Sequence, residues 1–274
     1  MLASSRRAFY NAERRSANGR GPLAIQSIER AAAILQALGS GQRRLGVSEL
    51  SERLGLAKGT VHGLLKALQQ ERFVEQEADS GKYQLGAALL QLGNIYLDVN
   101  ELRGRSLAWA DNLAIRTGEA VRVGTLHDDG VLVIHHVFRP DNTLQILEVG
   151  AHLPLHATAL GKALLAHHGE LAAAVLARPL SQLTQATLVT RAGVERALQA
   201  VRTHAYAVER EEAVIGEASI AAAIFDRRND AAGAIGIAGP VERIYDRREP
   251  RAELAVQVRE AARAITRDLG GARF

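Results

Sequence analysis

The chain has 274 residues, 47% hydrophobic and 23% charged, enough for two compact domains each with its own core. It contains no cysteine, which excludes disulfides, thiol nucleophiles and thiolate metal sites, and no apolar run approaches the length of a membrane span. The formal charge of +4 is equalled by residues 1–20 alone, with five arginines against one glutamate, so the remainder is balanced and only the placement of its cations is informative.

Residues 1–20 lack the apolar core of a secretory signal and are expected to form a disordered basic arm. Thirty arginines against four lysines fit a GC-rich bacterial genome, and the bacterial cytoplasm is the expected location, with no membrane association. From 21 to 86 the pattern is that of one small domain of helices and a hairpin. A supporting helix, Ser27–Leu38, precedes a helix opened by Gly46 and Glu49, with Leu50 and Leu54 on its apolar face and Gly55 ending it in a left-handed turn. A further helix begins near Ala57. Its apolar residues Val61, Leu64, Leu65 and Leu68 recur at helical spacing, which turns Gly59, His62, Gly63 and Lys66 to the opposite face. Phe73 and Glu75 then alternate with Tyr83 and Leu85 about the turn Asp79–Lys82, the pattern of a hairpin whose Lys82 stands near phosphates. That order of parts is a winged helix-turn-helix, which lays its second helix in a major groove. Lys58, Gly59, Thr60, His62, Gly63, Lys66 and Lys82 are the expected DNA-contacting residues.

Leu85, Leu89, Leu92, Tyr96 and Val99 alternate at spacings of four and three, so 87–103 is expected to be a linker helix whose seam pairs with a second copy or packs on its own chain. A reader of palindromic operator DNA needs two copies to reach both half-sites. The remainder, 104–274, has the pattern of an α/β sheet domain. A helix over Glu101–Gly118 is expected, then strands over Glu119–Thr125 and Gly130–Val137 and near Thr143–Val149, and a helix over Ala159–His168. Another helix is expected near Gly193–His204, with strands near Tyr206–Glu209, Glu217–Phe225 and Ala232–Ala238 and a final helix over Pro250–Leu269.

Enzyme chemistry has little support. The stretch from His156 to Lys162 lacks the first glycine of a phosphate loop, and Ala163 stands where a hydroxyl must hold magnesium. Gly233, Gly236 and Gly239 lie inside an apolar strand and serve close packing rather than a dinucleotide. Of the nine histidines, His135 and His136 are neighbours in a strand and point to opposite faces, while a trio of His127, His135 and His156 is left open. No metal or other cofactor is expected.

At Leu153–Ala166, Ala205–Asp226, Ile25–Arg30 and Gly233–Pro240, the chain resembles the isocitrate-lyase-regulator (IclR) family of bacterial transcription factors, over about residues 23–270. The resemblance implies an α+β protein: an N-terminal winged helix-turn-helix, a linker helix and a C-terminal GAF-like effector-binding domain. It also implies a homodimer or dimer of dimers on operator DNA, and a small metabolite that shifts DNA binding or contacts with RNA polymerase. The family usually carries a small polar residue and an arginine where this chain has Gly59 and Gly63. Carried over, the effector positions are Ala159, Leu160, Glu209, Ser219, Gly236 and Ala238, with Leu153 as a wall. Relatives that bind small keto acids have hydroxyl donors at the positions of Gly236 and Ala238, so this pocket is more apolar. An ionised Glu209 there favours a ligand offering O–H or N–H groups, with the helix start at Gly161 and Lys162 available to a carboxylate. The alternative is that Glu209 pairs with Arg122 or Arg210.

Overall fold

In the computed structural model, residues 25–40, 44–141, 143 and 145–272 are described. The basic arm expected over 1–20 lies outside them, as do residues 21–24 at the start of the DNA-binding domain. The chain divides into two compact units, with the boundary between Asp98 and Val99.

The first unit is a three-helix bundle with a hairpin: α1 (Gln26–Gly39), α2 (Val47–Leu54), α3 (Lys58–Gln70), β1 (Val74–Gln76), β2 (Tyr83–Leu85) and α4 (Ala88–Asp98). Helix α2 opens at Gly46, whose N–H donates to the Glu49 carboxylate at 2.6 Å, and closes at Gly55 with φ of 66°. Ile34, Leu38, Leu50, Val61, Leu65, Val74 and Tyr83 form the core. Burying each large aliphatic side chain contributes roughly 1.5–3 kcal/mol. Val74 rather than Phe73 is the buried residue of β1, which pairs antiparallel with β2 in the register Val74↔Leu85.

The expected linker is corrected in two respects. Leu85 belongs to the hairpin, because the Gly86 N–H is held by the Phe73 carbonyl at 2.9 Å and a side chain at Gly86 would strike the Arg72 carbonyl. At the other end Val99 lies outside α4, and Asn100 caps a separate helix, its side chain accepting from the Arg103 N–H at 2.9 Å. The segment 87–103 is therefore two helices, not one.

The second unit begins with α5 (Glu101–Thr117), ended by Gly118 at φ of 68°. Then come β3 (Ala120–His127), β4 (Gly130–Val137), β5 (His152–Pro154), α6 (Ala159–Leu165), α7 (Gly169–Leu176) and α8 (Arg191–His204). The chain continues through β6 (Ala207–Arg210), β7 (Glu217–Phe225), β8 (Ala231–Pro240), α9 (Val241–Ile244), β9 (Tyr245–Asp246), β10 (Glu249–Pro250) and α10 (Ala252–Asp268). Six strands form an antiparallel sheet in the order β5-β4-β3-β8-β7-β6. Helix α6 packs on one face and α5 and α10 on the other.

Among the described residues of 143–149, the expected strand does not form. The Arg139 N–H goes to the Gln145 side chain at 2.7 Å and the Glu148 N–H to the His136 ring at 3.2 Å, so side chains take the backbone groups a ladder would need. Pairing with β4 resumes only at Gly150 and Ala151. Helix α6 likewise stops at Leu165, short of His168, and α7 follows it.

Candidate functional site

On α3 the apolar residues face the bundle and leave Lys58, Gly59, His62, Gly63 and Lys66 exposed on the outer face, with Thr60 half-buried beside them. A side chain at Gly59 or Gly63 would meet nothing within 4 Å, so no packing inside the unit demands glycine there. The hairpin turn uses Gly81 at φ of 65°. Lys82 follows it, yet its Nζ lies 3.0 Å from Glu49 Oε1 on α2. Arg44, absent from the sequence reading, stands beside the same hairpin and contacts Glu77 at 2.5 Å and Gln84 at 3.3 Å.

In the second unit, register and alternation place the effector positions on the α6 face of the sheet. Glu209, Ser219 and Ala238 form one row across β6, β7 and β8, and Gly236 stands in the next row opposite Ala221. Leu160 of α6 lies over Gly124 of β3, and Leu153 pairs with Val131 toward the far edge. Ala159 opens α6 and is fully buried. A side chain at Gly236 would strike the Ile220 carbonyl and Ala221, so this backbone has no room for a hydroxyl donor at that position.

Glu209 is 3% exposed. Its Oε1 accepts from the Ser219 hydroxyl at 3.0 Å and its Oε2 from the Glu212 N–H at 3.0 Å. Burial, reinforced by the charge of Glu217, pushes this carboxyl up to about 8. The expectation of an ionised, accept-only Glu209 is thereby corrected: near neutrality it carries a proton and can donate. The alternative pairing is also corrected. Arg122 engages Glu148 and Glu217, while Arg210 lies over the Tyr245 ring and donates to the Arg247 carbonyl.

The start of α6 is not an open anion cradle. Thr158 caps it, its hydroxyl taking the Gly161 N–H at 3.1 Å, and its carbonyl takes the Lys162 N–H. Lys162, 1% exposed, sends Nζ to Glu212 Oε1 at 2.5 Å. Burial raises the Glu212 carboxyl against the pull of Lys162. Thr184 and Thr187 donate at 2.6 Å to the Glu211 and Glu212 carbonyls, so the turn after β6 is tied down beside Glu209. Sequence reasoning missed this pair. The available signal was a lone lysine within the otherwise apolar run Ala159–Ala166, since a charge inside an apolar helix requires a buried partner.

The histidine trio is dispersed. His135 faces α5, near Arg103 and Asp111, whereas His156 bonds the Ser181 carbonyl at 3.0 Å on the side of Glu212. Among the described residues no three metal-ligating side chains gather.

A winged DNA-reading unit followed by a buried polar cluster on the face of a sensing sheet defines a ligand-responsive transcriptional regulator. Residues 27–78 match the IclR helix-turn-helix domain and residues 94–267 match the family described as bacterial transcriptional regulator IclR C-terminal. The chain belongs to the IclR family, whose members are DNA-binding regulators of metabolic operons and not enzymes. It is 53% identical over 250 residues to the glycerol operon regulatory protein of Streptomyces coelicolor, covering 91% of this chain and 98% of that protein. It is 32% identical to the regulator XynR of Escherichia coli, covering 90% and 98% of the two chains. Among solved structures, an IclR regulator from Alicyclobacillus acidocaldarius superposes with a TM-score of 0.76 at 26% identity, covering 91% of this chain and all of that one. The fold and the operator-binding, effector-responsive function follow from this membership.

Proposed function

We propose that this chain controls an operon for the use of glycerol or a closely related polyol. The similarity to the Streptomyces coelicolor glycerol regulator, sustained over nearly the whole of both chains, carries the reading. Residues 21–86 read palindromic operator DNA as a homodimer or a dimer of dimers in the cytoplasm. Lys58, Gly59, Thr60, His62, Gly63 and Lys66 of α3 meet the major groove, and Lys82 meets a phosphate from the wing. The exposed apolar side chains of α4, which include Leu90, Leu92, Ile95 and Tyr96, are the pairing surface. A polyol derivative binds over the sheet, with the neutral Glu209 carboxyl and the Ser219 hydroxyl reading its hydroxyl groups and Leu153, Ala159, Leu160, Gly236 and Ala238 as walls. Its binding alters operator affinity or contact with RNA polymerase.

Selection of genomic DNA fragments by the full-length chain, followed by footprinting with and without polyol derivatives, tests this. Enriched fragments should lie upstream of polyol-utilisation genes and respond to one such derivative. Enrichment beside unrelated genes, with footprints indifferent to every polyol tested, would overturn it.

A further inference from the structure

Arg122 is singled out by its place on the sheet of the second unit. It stands on β3 in register with Gly236, on the sheet face that carries Glu209 and Ser219. Its guanidinium nevertheless reaches Glu217 of β7 at 3.0 Å, so the side chain crosses the whole of β8. The crossing passes Gly236 and Ala238 of β8, which put nothing larger than a methyl group in its way. The same guanidinium holds Glu148 through Nη2 at 3.1 Å and through Nε. Arg122, Glu148 and Glu217 are each about one-sixth exposed, buried enough to strengthen their interactions yet still open to a small solute.

The two carboxylates are not equivalent. Glu217 is fixed in β7 opposite Pro240, and its charge is felt by Glu209. Glu148 lies in the irregular stretch before β5, attached to the sheet through its N–H on His136, so its side chain can leave without breaking a strand pairing. One guanidinium facing two carboxylates carries surplus negative charge. An incoming anion can replace one of them at little electrostatic loss, and a phosphate or carboxylate matches the guanidinium fork as well as Glu148 does.

Resting on the reading of this sheet face as the effector site, we propose that Arg122 is its anion-binding residue. The effector is then a small hydroxylated anion, a phosphate monoester or a carboxylate, whose anionic group displaces Glu148 while its hydroxyl groups face Glu209 and Ser219. Glycerol itself lacks the group that Arg122 recognises.

Isothermal titration of the full-length chain with glycerol, glycerol 3-phosphate and glycerate tests the assignment, using wild type, Arg122→Gln, Glu148→Gln and Glu209→Gln. Wild type should bind one of the two anions at least ten-fold more tightly than glycerol, and which one it is separates phosphate from carboxylate. Arg122→Gln should weaken that anion at least ten-fold and so remove its advantage over glycerol. Glu148→Gln, which removes the competing charge, should tighten the anion several-fold; this gain decides the matter alone if Arg122→Gln fails to fold by circular dichroism. An anion affinity unmoved by Arg122→Gln, or one that does not rise in Glu148→Gln, overturns the role of Arg122. Glycerol binding that is lost in Glu209→Gln, with neither anion preferred, also overturns it but keeps the effector site. No binding of any probe to wild type or Glu148→Gln overturns both.

Discussion

Lys82 of the wing and Glu49 of α2 are joined at 3.0 Å, and the same Glu49 carboxylate also accepts the Gly46 N–H that opens α2. One side chain therefore caps the first helix of the DNA-reading motif and holds the cation that follows the hairpin turn. The two bonds, that of the Gly46 N–H foremost, hold the Glu49 carboxyl below its ordinary value of 4.5. A depressed carboxylate contributes stability above its unfolded value, and that contribution is lost as pH falls through the lower folded value. Lys82→Ala should weaken binding to all DNA sequences alike and flatten the salt dependence by about one unit of slope. Glu49→Gln should keep that slope yet unfold more easily than wild type at neutral pH, with the difference vanishing in acid. Fluorescence anisotropy over a salt series and thermal melts over pH check both.

Gly59 and Gly63 have open space where a side chain would go. Gly59→Ala and Gly63→Ala should therefore each stabilise α3 by about 0.5–1 kcal/mol, seen as a higher thermal midpoint. If the groove approaches this backbone closely, the same substitutions should weaken specific operator binding while the protein itself becomes more stable. Opposite signs for the two measurements separate recognition from folding.

Helix α4 contains no buried residue, and Leu92 is 53% exposed. Glu at positions 89 and 92 together should leave the circular dichroism spectrum unchanged but lower the molecular mass seen by sedimentation. Cooperative binding to a two-half-site operator should be lost with it. Unaltered mass and cooperativity would assign the seam to intrachain packing.

The Glu209 carboxyl, raised to about 8, makes the sensing domain lose stability as pH climbs from its unfolded value of 4.5 toward 8, because the folded state binds the extra proton over that window. The slope is at most about 1.4 kcal/mol per pH unit. Glu209→Gln cannot ionise, so it should remove this decline and melt above wild type at pH 8. Effector affinity that relies on the neutral carboxyl should fall across the same range in wild type.

Breaking the Lys162–Glu212 pair leaves a buried charge without its partner. Lys162→Met should destabilise by about 3–5 kcal/mol in chemical denaturation, whereas Lys162→Met with Glu212→Leu should recover most of that loss.

Much of the fold was legible because its signals are local. Gly55 and Gly118 end their helices at positive φ as their positions imply, and the apolar run Glu217–Phe225 is a strand over those same residues. The failures have non-local causes. Ile146, Leu147 and Val149 look like a strand, but the Glu148 N–H is captured by His136, twelve residues away, which no local pattern reveals. Leu85 continues the heptad spacing of α4 yet is paired with Val74 in the hairpin. The protonation of Glu209 was misread because charge state depends on burial, and burial depends on the register between β6 and β7. Arg122 was noticed only as a partner for Glu209, since its reach across β8 follows from a strand order that brings β3 beside β8.

Helices α5 and α10 open and close the second unit and pack on the same face of its sheet, joined where Trp109 Nε1 donates to Asp268 at 2.8 Å and Arg116 meets Glu260 at 3.1 Å. The chain therefore enters and leaves this unit along neighbouring helices, a closed circuit of polypeptide. Such a domain tolerates having its natural ends fused and new ones opened at an exposed turn. The turn at Asp128 and Asp129 between β3 and β4 is one such place. Rewired in that way, the metabolite-responsive half could drive a reporter grafted at the new ends, detached from any operator.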